Sequence, residues 1–214
     1  MKEVDLHEAR GSDEMIAASS GRTNQKARTR RAIVEAGRRL MRDHRPVTMP
    51  EVAREALVSE ATAYRYFPDL ASLLAAAFVD AWPSPSEALR PVASSNDPVE
   101  RIAFATRFLL EGVAERQAAV RAMISATIVR PELAAARPGI RFGLIEHALA
   151  PFLDALEAVD PQRPAQLQRD LAVVVSAEAL FCLTDLCGLS VEDAVASAVR
   201  TASTLTESAF ARVR

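Results

Sequence analysis

Between Thr48 and Pro68 the chain holds two short helical stretches, each with its own start signal. The first opens at Thr48-Met49-Pro50-Glu51. Thr48 suits the N-cap, Glu51 stands where a capping box needs it, and Pro50 falls in the first turn, where a missing N–H costs nothing. Val52, Ala53 and Ala56 give this helix a buried face. Leu57-Val58 then interrupts, and Ser59 is a second cap. The stretch from Glu60 to Phe67 is barely two turns long, and Pro68-Asp69 stops it. Ala63 and Phe67 share its inner side, while Thr62, Arg65 and Tyr66 point elsewhere. Two capped short helices about a tight turn form a helix-turn-helix pattern. The second is short enough to lie in a major groove with its outward residues free to meet base edges.

The flanking segments fit that pattern. From Lys26 onward Ile33, Ala36, Gly37, Leu40 and Met41 recur at helical steps, which predicts a helix ending near Arg45-Pro46. Downstream, Asp69 caps a helix whose apolar stripe is Leu70, Leu73, Leu74, Ala77 and Phe78. The whole chain carries a formal charge of −2. Its charge is unevenly spread: Arg22, Lys26, Arg28, Arg30, Arg31, Arg38, Arg39, Arg42 and Arg45 are opposed within their segment only by Glu35 and Asp43. A basic segment in a near-neutral chain implies local contact with a polyanion. Residues 1–20 show no sustained period and are expected to form a mobile arm.

Trp82-Pro83-Ser84-Pro85-Ser86 marks a break, after which the pattern is again helical. Helices are expected from Asp97-Pro98 to about Arg116, from Ala118 to Ile128, and from Ile140 to Val159 with a kink at Pro151. A long helix is expected from Asp160-Pro161 to Cys187, ended by Gly188, and a last one capped by Ser190. No strand pattern survives, and alanine is abundant where glycine is scarce, so the fold class is all-α. The organisation read from this is an arm over 1–21, a helix-turn-helix domain over 22–81 and a helical domain over 82–214. Cys182 and Cys187, five apart on a helix, point in different directions, which argues against a disulfide and for a reducing cytoplasm. Residues 1–20 contain no apolar leader core, and Leu171 to Leu183, interrupted by Glu178, is too short to span a bilayer. His7, His44 and His147 lie far apart without metal-ligand spacing, and no glycine-rich phosphate loop occurs. Neither an enzyme, a metal site nor a cofactor is expected.

The segment from Thr29 to Phe78 resembles the DNA-binding domain of the tetracycline-repressor (TetR) family. The resemblance lies in Thr29-Arg30-Arg31-Ala32-Ile33-Val34-Glu35-Ala36, in Thr48-Met49-Pro50-Glu51-Val52-Ala53, and above all in Val58 to Pro68 with its Thr62 and Tyr64-Arg65-Tyr66-Phe67, leading into Leu73-Leu74. It implies that Thr62, Tyr64 and Tyr66 lie at the DNA surface. The tyrosine hydroxyls and the Thr48 cap region suit phosphate oxygens, and Ser59 opens the reading helix. Glu60, Ala61 and Arg65 are candidates for base contact, since arginine pairs with guanine and glutamate accepts from cytosine. Arg22, Lys26 and Arg28 are candidates for a minor-groove arm. This chain departs from the family at three places. His44-Arg45-Pro46 replaces a glycine-bearing connection, Leu57 stands for the turn glycine, and Leu70 replaces a lysine that would touch phosphate.

The resemblance further implies a homodimer on a palindromic double-stranded DNA operator and a small-molecule effector held among the middle helices. Dimer faces are expected at Leu171, Val174, Val175 and Cys182, and at Val195, Val199, Ala202 and Leu205. Phe104, Phe108, Met123, Phe142 and Phe181 are candidates to line an effector pocket, with Arg107, Glu111, His147 and Glu178 as polar hooks. The expected function is a transcriptional regulator, a repressor released by its effector. The alternative is a helical dimer that senses a ligand with weak or lost DNA binding.

Overall fold

The computed structural model describes residues 5–43, 45–79 and 81–211, with side chains from Thr23 onward apart from that of Ala136. Among the described residues the chain is helical throughout, without strands. The first helix, α1, spans Asp5–Arg42, followed by α2 (Met49–Glu55), α3 (Glu60–Tyr66) and α4 (Leu70–Phe78). Then come α5 (Pro85–Ala88), α6 (Pro98–Glu115), α7 (Gln117–Val129), α8 (Ile140–Leu149) and α9 (Leu153–Glu157). The series ends with α10 (Arg163–Val174), α11 (Ala177–Phe181) and α12 (Val191–Phe210). The helical backbone of α1 begins at Asp5, upstream of the periodic stretch and within the segment expected to be an arm. No proline precedes Pro46, and a glycine inside a helix weakens it by only about 1 kcal/mol relative to alanine.

Two apolar clusters organise the molecule. In the first, Ile33 and Leu40 of α1, Val52 of α2, Ala63 of α3 and Leu73 and Leu74 of α4 are fully buried. In the second, Ile102 and Leu110 of α6, Leu144 and Leu149 of α8, Leu171 of α10 and Ala194, Ala198 and Ala202 of α12 pack together. The alanines, four apart, let α12 lie close along α6. The clusters meet at α7, whose Ala119 and Met123 pack into the first cluster against α4.

Buried Arg101 fastens the second cluster through backbone carbonyls alone. Its Nε donates to Ala148 at 2.8 Å and its terminal nitrogens to Val92, Ala93 and His147 at 2.9, 3.1 and 3.0 Å. Two of these carbonyls lie in the last turn of α8, where a helix has no N–H donors of its own left for them.

The long helix expected from Asp160-Pro161 to Cys187 is broken. Val175 leaves helical geometry at φ −80°, ψ 65°. Ser176 caps α11 by accepting from the Ala179 N–H at 3.0 Å and donates back to the Val173 carbonyl at 2.8 Å. A serine hydroxyl competes for backbone bonds in this way without a proline or glycine to announce the break. A π-helical turn over Cys182–Leu186 follows, carrying the exposed free thiols Cys182 and Cys187 at and just past its ends. Arg121 of α7 clasps this turn through both oxygens of Asp185, at 2.5 and 2.8 Å, and holds that carboxyl at about 2. At Pro151 a 3₁₀ turn, Ala150–Phe152, separates α8 from α9.

The expected dimer faces are also altered. Leu171, Val175, Val195 and Ala202 are buried within this one chain. Val173 and Leu186, by contrast, are 72 % and 83 % exposed. Among the described residues no helix is long and apolar enough to cross a membrane.

Candidate nucleic-acid interface and ligand cavity

The turn between α2 and α3 is set by backbone bonds. Thr48 caps α2 by accepting from the Glu51 N–H at 3.3 Å. At the other end Leu57 N–H donates to the Arg54 carbonyl at 3.1 Å and Val58 N–H to the Ala53 carbonyl at 3.0 Å. This pair of bonds is a Schellman closure, which needs a left-handed residue at its centre. Leu57 takes that place at φ 57°, the one positive φ outside glycine among the described residues, with its side chain 92 % exposed. Ser59 then caps α3, accepting from the Thr62 N–H at 3.1 Å, and its hydroxyl also meets the Thr62 hydroxyl at 2.9 Å.

Ala63 and Phe67, both buried, seat α3 on the first cluster. Glu60, Ala61, Tyr64 and Arg65 are exposed on one side of it. Thr62 and Tyr66 are half-buried. Tyr66 packs against the first cluster, with the Arg65 guanidinium 5.5 Å from its ring centre. Across a shallow groove from Thr62, Arg65 and Tyr66 lie Gln25, Lys26 and Thr29 of α1. Lys26 and Arg28, read from sequence as part of a flexible arm, are thus exposed residues of α1 itself. The side chain of Arg22 lies outside the described residues.

Much of the basic segment is engaged internally. Glu55 accepts from Arg39 at 2.9 Å and Arg45 at 3.1 Å, bonds that hold its carboxyl below the usual range. Glu51 pairs with Arg45 and Arg54, and Glu35 with Arg42. Arg38 donates to the Ala77 and Val79 carbonyls at the end of α4, and Arg30 lies 4.9 Å over the Phe67 ring. Lys26, Arg28, Arg31 and Arg65 are exposed and make no ion pair among the described residues. The cationic surface is therefore narrower than the composition implies, and of these residues Lys26 and Arg65 line the groove beside α3.

A cavity of about 90 Å³ opens where the two clusters meet. Its walls include Phe78 of α4, Trp82, Met123 of α7, and Arg137, Arg141 and Glu178. Trp82 is held by an edge contact with Phe108, with ring centres 6.1 Å apart, and by the Arg116 guanidinium at 5.0 Å. Gly112 makes room for it, since a Cβ there would overlap the indole. Of the residues read from sequence as effector contacts, Met123 and Glu178 line this cavity. Phe104, Phe108 and Phe181 pack instead against the second cluster, Phe181 beneath the Arg121 guanidinium. Arg107, Glu111 and Phe142 are exposed, and half-buried His147 gives its carbonyl to Arg101. Sequence reasoning missed Phe78, Trp82, Arg137 and Arg141. The available signal was complementary charge: Glu178 alone in an apolar run, and two arginines flanking Pro138-Gly139.

A capped helix pair with its second member turned outward, carried on a larger helical body, defines a helix-turn-helix DNA-binding regulator. Residues 33–77 match the family model described as bacterial regulatory proteins, tetR family, which makes this segment a TetR-type DNA-binding domain. The fold is also similar to the crystal structure of a TetR transcriptional regulator from Rhodococcus sp. RHA1, with a TM-score of 0.49 and 23% identity over 84% of this chain and 96% of that one. No curated protein matches the chain.

Proposed function

We propose that this regulator is a repressor that binds a palindromic DNA operator as a homodimer and leaves it when a small-molecule effector binds. The observation that carries the DNA half is the division of α3: Ala63 and Phe67 hold it from within while Glu60, Ala61, Tyr64 and Arg65 are exposed together. In this reading Arg65, Glu60 and Ala61 meet base edges, and Thr48, Ser59, Thr62, Tyr64 and Tyr66 lie near phosphates. Lys26 and Arg28 extend the contact from α1, with Arg22 further along the same helix. One helix of two turns reads few base pairs, so a two-fold pair is needed for useful specificity. Val173 and Leu186 are the exposed apolar residues that a second copy would cover. The effector half is supported by the cavity, whose wall includes Phe78, the last residue of α4. A ligand that favours a different seating of Phe78 also favours a different spacing of the two reading helices. The protein is expected to work in the cytoplasm, where its operator would be.

Selection of bound sequences from a random duplex pool tests this. A two-fold symmetric consensus is expected, bound with an affinity that falls steeply as salt rises. Absent or salt-independent binding would overturn the reading and favour a ligand sensor without DNA grip. Arg65→Ala should relax preference at one base position in each half-site, at about 1–3 kcal/mol per contact.

A further inference from the structure

The cavity between the clusters has one charged end. Arg137, Arg141 and Glu178 are the ionisable groups among its described lining residues. Two cations face one carboxylate, so this end carries a surplus positive charge. The two guanidiniums already bracket a carboxylate. Glu178 Oε1 accepts from Arg137 at 2.5 Å and its Oε2 from Arg141 at 3.5 Å. Both arginines are anchored from behind. Arg137 Nε donates to the Thr127 hydroxyl at 2.6 Å, and Arg141 donates to the Ala172 carbonyl at 3.3 Å. A guanidinium has five N–H donors. These bonds leave donors on both arginines without an acceptor among the described residues. The rest of the wall is mainly apolar, including Leu109, Val113 and Ile140.

We propose that this cavity takes a small amphipathic monoanion: a carboxylic acid whose apolar body is one ring or a short alkyl chain. Its carboxylate sits on Arg137 and Arg141, and its body lies against Trp82 and Phe78. The inference rests on the effector reading above and narrows it to a chemical class. A carboxylate neutralises the surplus charge, whereas a neutral analogue leaves it and an amine adds to it. Size supplies the regulation. The cavity measures about 90 Å³, whereas a dry cavity that holds benzene is about 150 Å³. The cavity is open on one side, and a ring-sized body enters it wholly only as the wall gives way. That wall includes the end of α4, so the acid favours a seating of α4 other than the one observed, and this differential affinity is what a switch requires.

The test is isothermal calorimetry on the full chain with benzoate and hexanoate, each beside its alcohol, and with benzylamine. At least one acid should bind at one site per chain about tenfold or more tightly than its alcohol, with the amine weakest. Arg141→Gln should erase the preference for acid while leaving the alcohol's affinity unchanged. Arg137→Gln serves as the second variant should the first lose its helical circular dichroism. Acids that bind no better than alcohols, or no acid binding at millimolar concentration, would overturn the proposal. A parallel gel shift on the selected duplex separates the two readings. Duplex binding without acid binding removes this inference alone; acid binding without duplex binding removes the operator reading and leaves the ligand chemistry standing.

Discussion

Leu57 is a residue in the wrong conformation for its kind. A side chain with a Cβ at a left-handed position is strained by about 1–2 kcal/mol, and glycine is not. Glycine in turn loses more freedom on folding, by about 0.4–1 kcal/mol. Because the Leu57 side chain is almost wholly in solvent, its removal forfeits no packing. Leu57→Gly is therefore expected to stabilise the protein by about 0.5–1 kcal/mol. This would appear as a higher urea midpoint with an unchanged slope; a lower midpoint would contradict it. This site was legible through the family resemblance, in which Leu57 stands where a turn glycine is expected. The cavity was not. Its arginines stand at 137 and 141 and their carboxylate at 178, with nothing periodic to link them. The aromatic residues that looked like a pocket, Phe104, Phe108 and Phe181, serve as packing.

At the level of elements, caps told the truth and their absence misled. Thr48, Ser59, Asp69, Asp97 and Ser190 each begin the helix their position implies. The break at Val175-Ser176 went unread because an apolar run passes straight through it. Arg101 was equally silent, being one charge among many on a helix, yet it joins α6 to the end of α8 and to the 3₁₀ turn at Arg90–Val92. Arg101→Met keeps the aliphatic bulk and removes every donor. It takes away the donor to the Ala148, His147 and Ala93 carbonyls and leaves Val92 with the Ser95 N–H, so a loss of about 3 kcal/mol or more is expected in chemical denaturation. A loss below about 1 kcal/mol, the size of a single ordinary hydrogen bond, would mean that water takes over those carbonyls.

Over the whole molecule, the all-helical class and the outward face of α3 follow from pattern, but the number of helices and the joint between the clusters do not. A division at about Trp82 separates two sequence segments; in space, Ala119 and Met123 of the later one complete the core of the earlier one. Segments that share a core unfold together. Scanning calorimetry of the full chain should show one transition whose calorimetric and van't Hoff enthalpies agree. Two resolved transitions would mean the joint contributes little. The joint also holds Trp82, the chain's only tryptophan, seated over Gly112. Fluorescence excited at the red edge of the spectrum therefore comes from a single address. Its colour and intensity report on that spot with no dye, tag or engineered probe, so the molecule arrives carrying its own optical gauge.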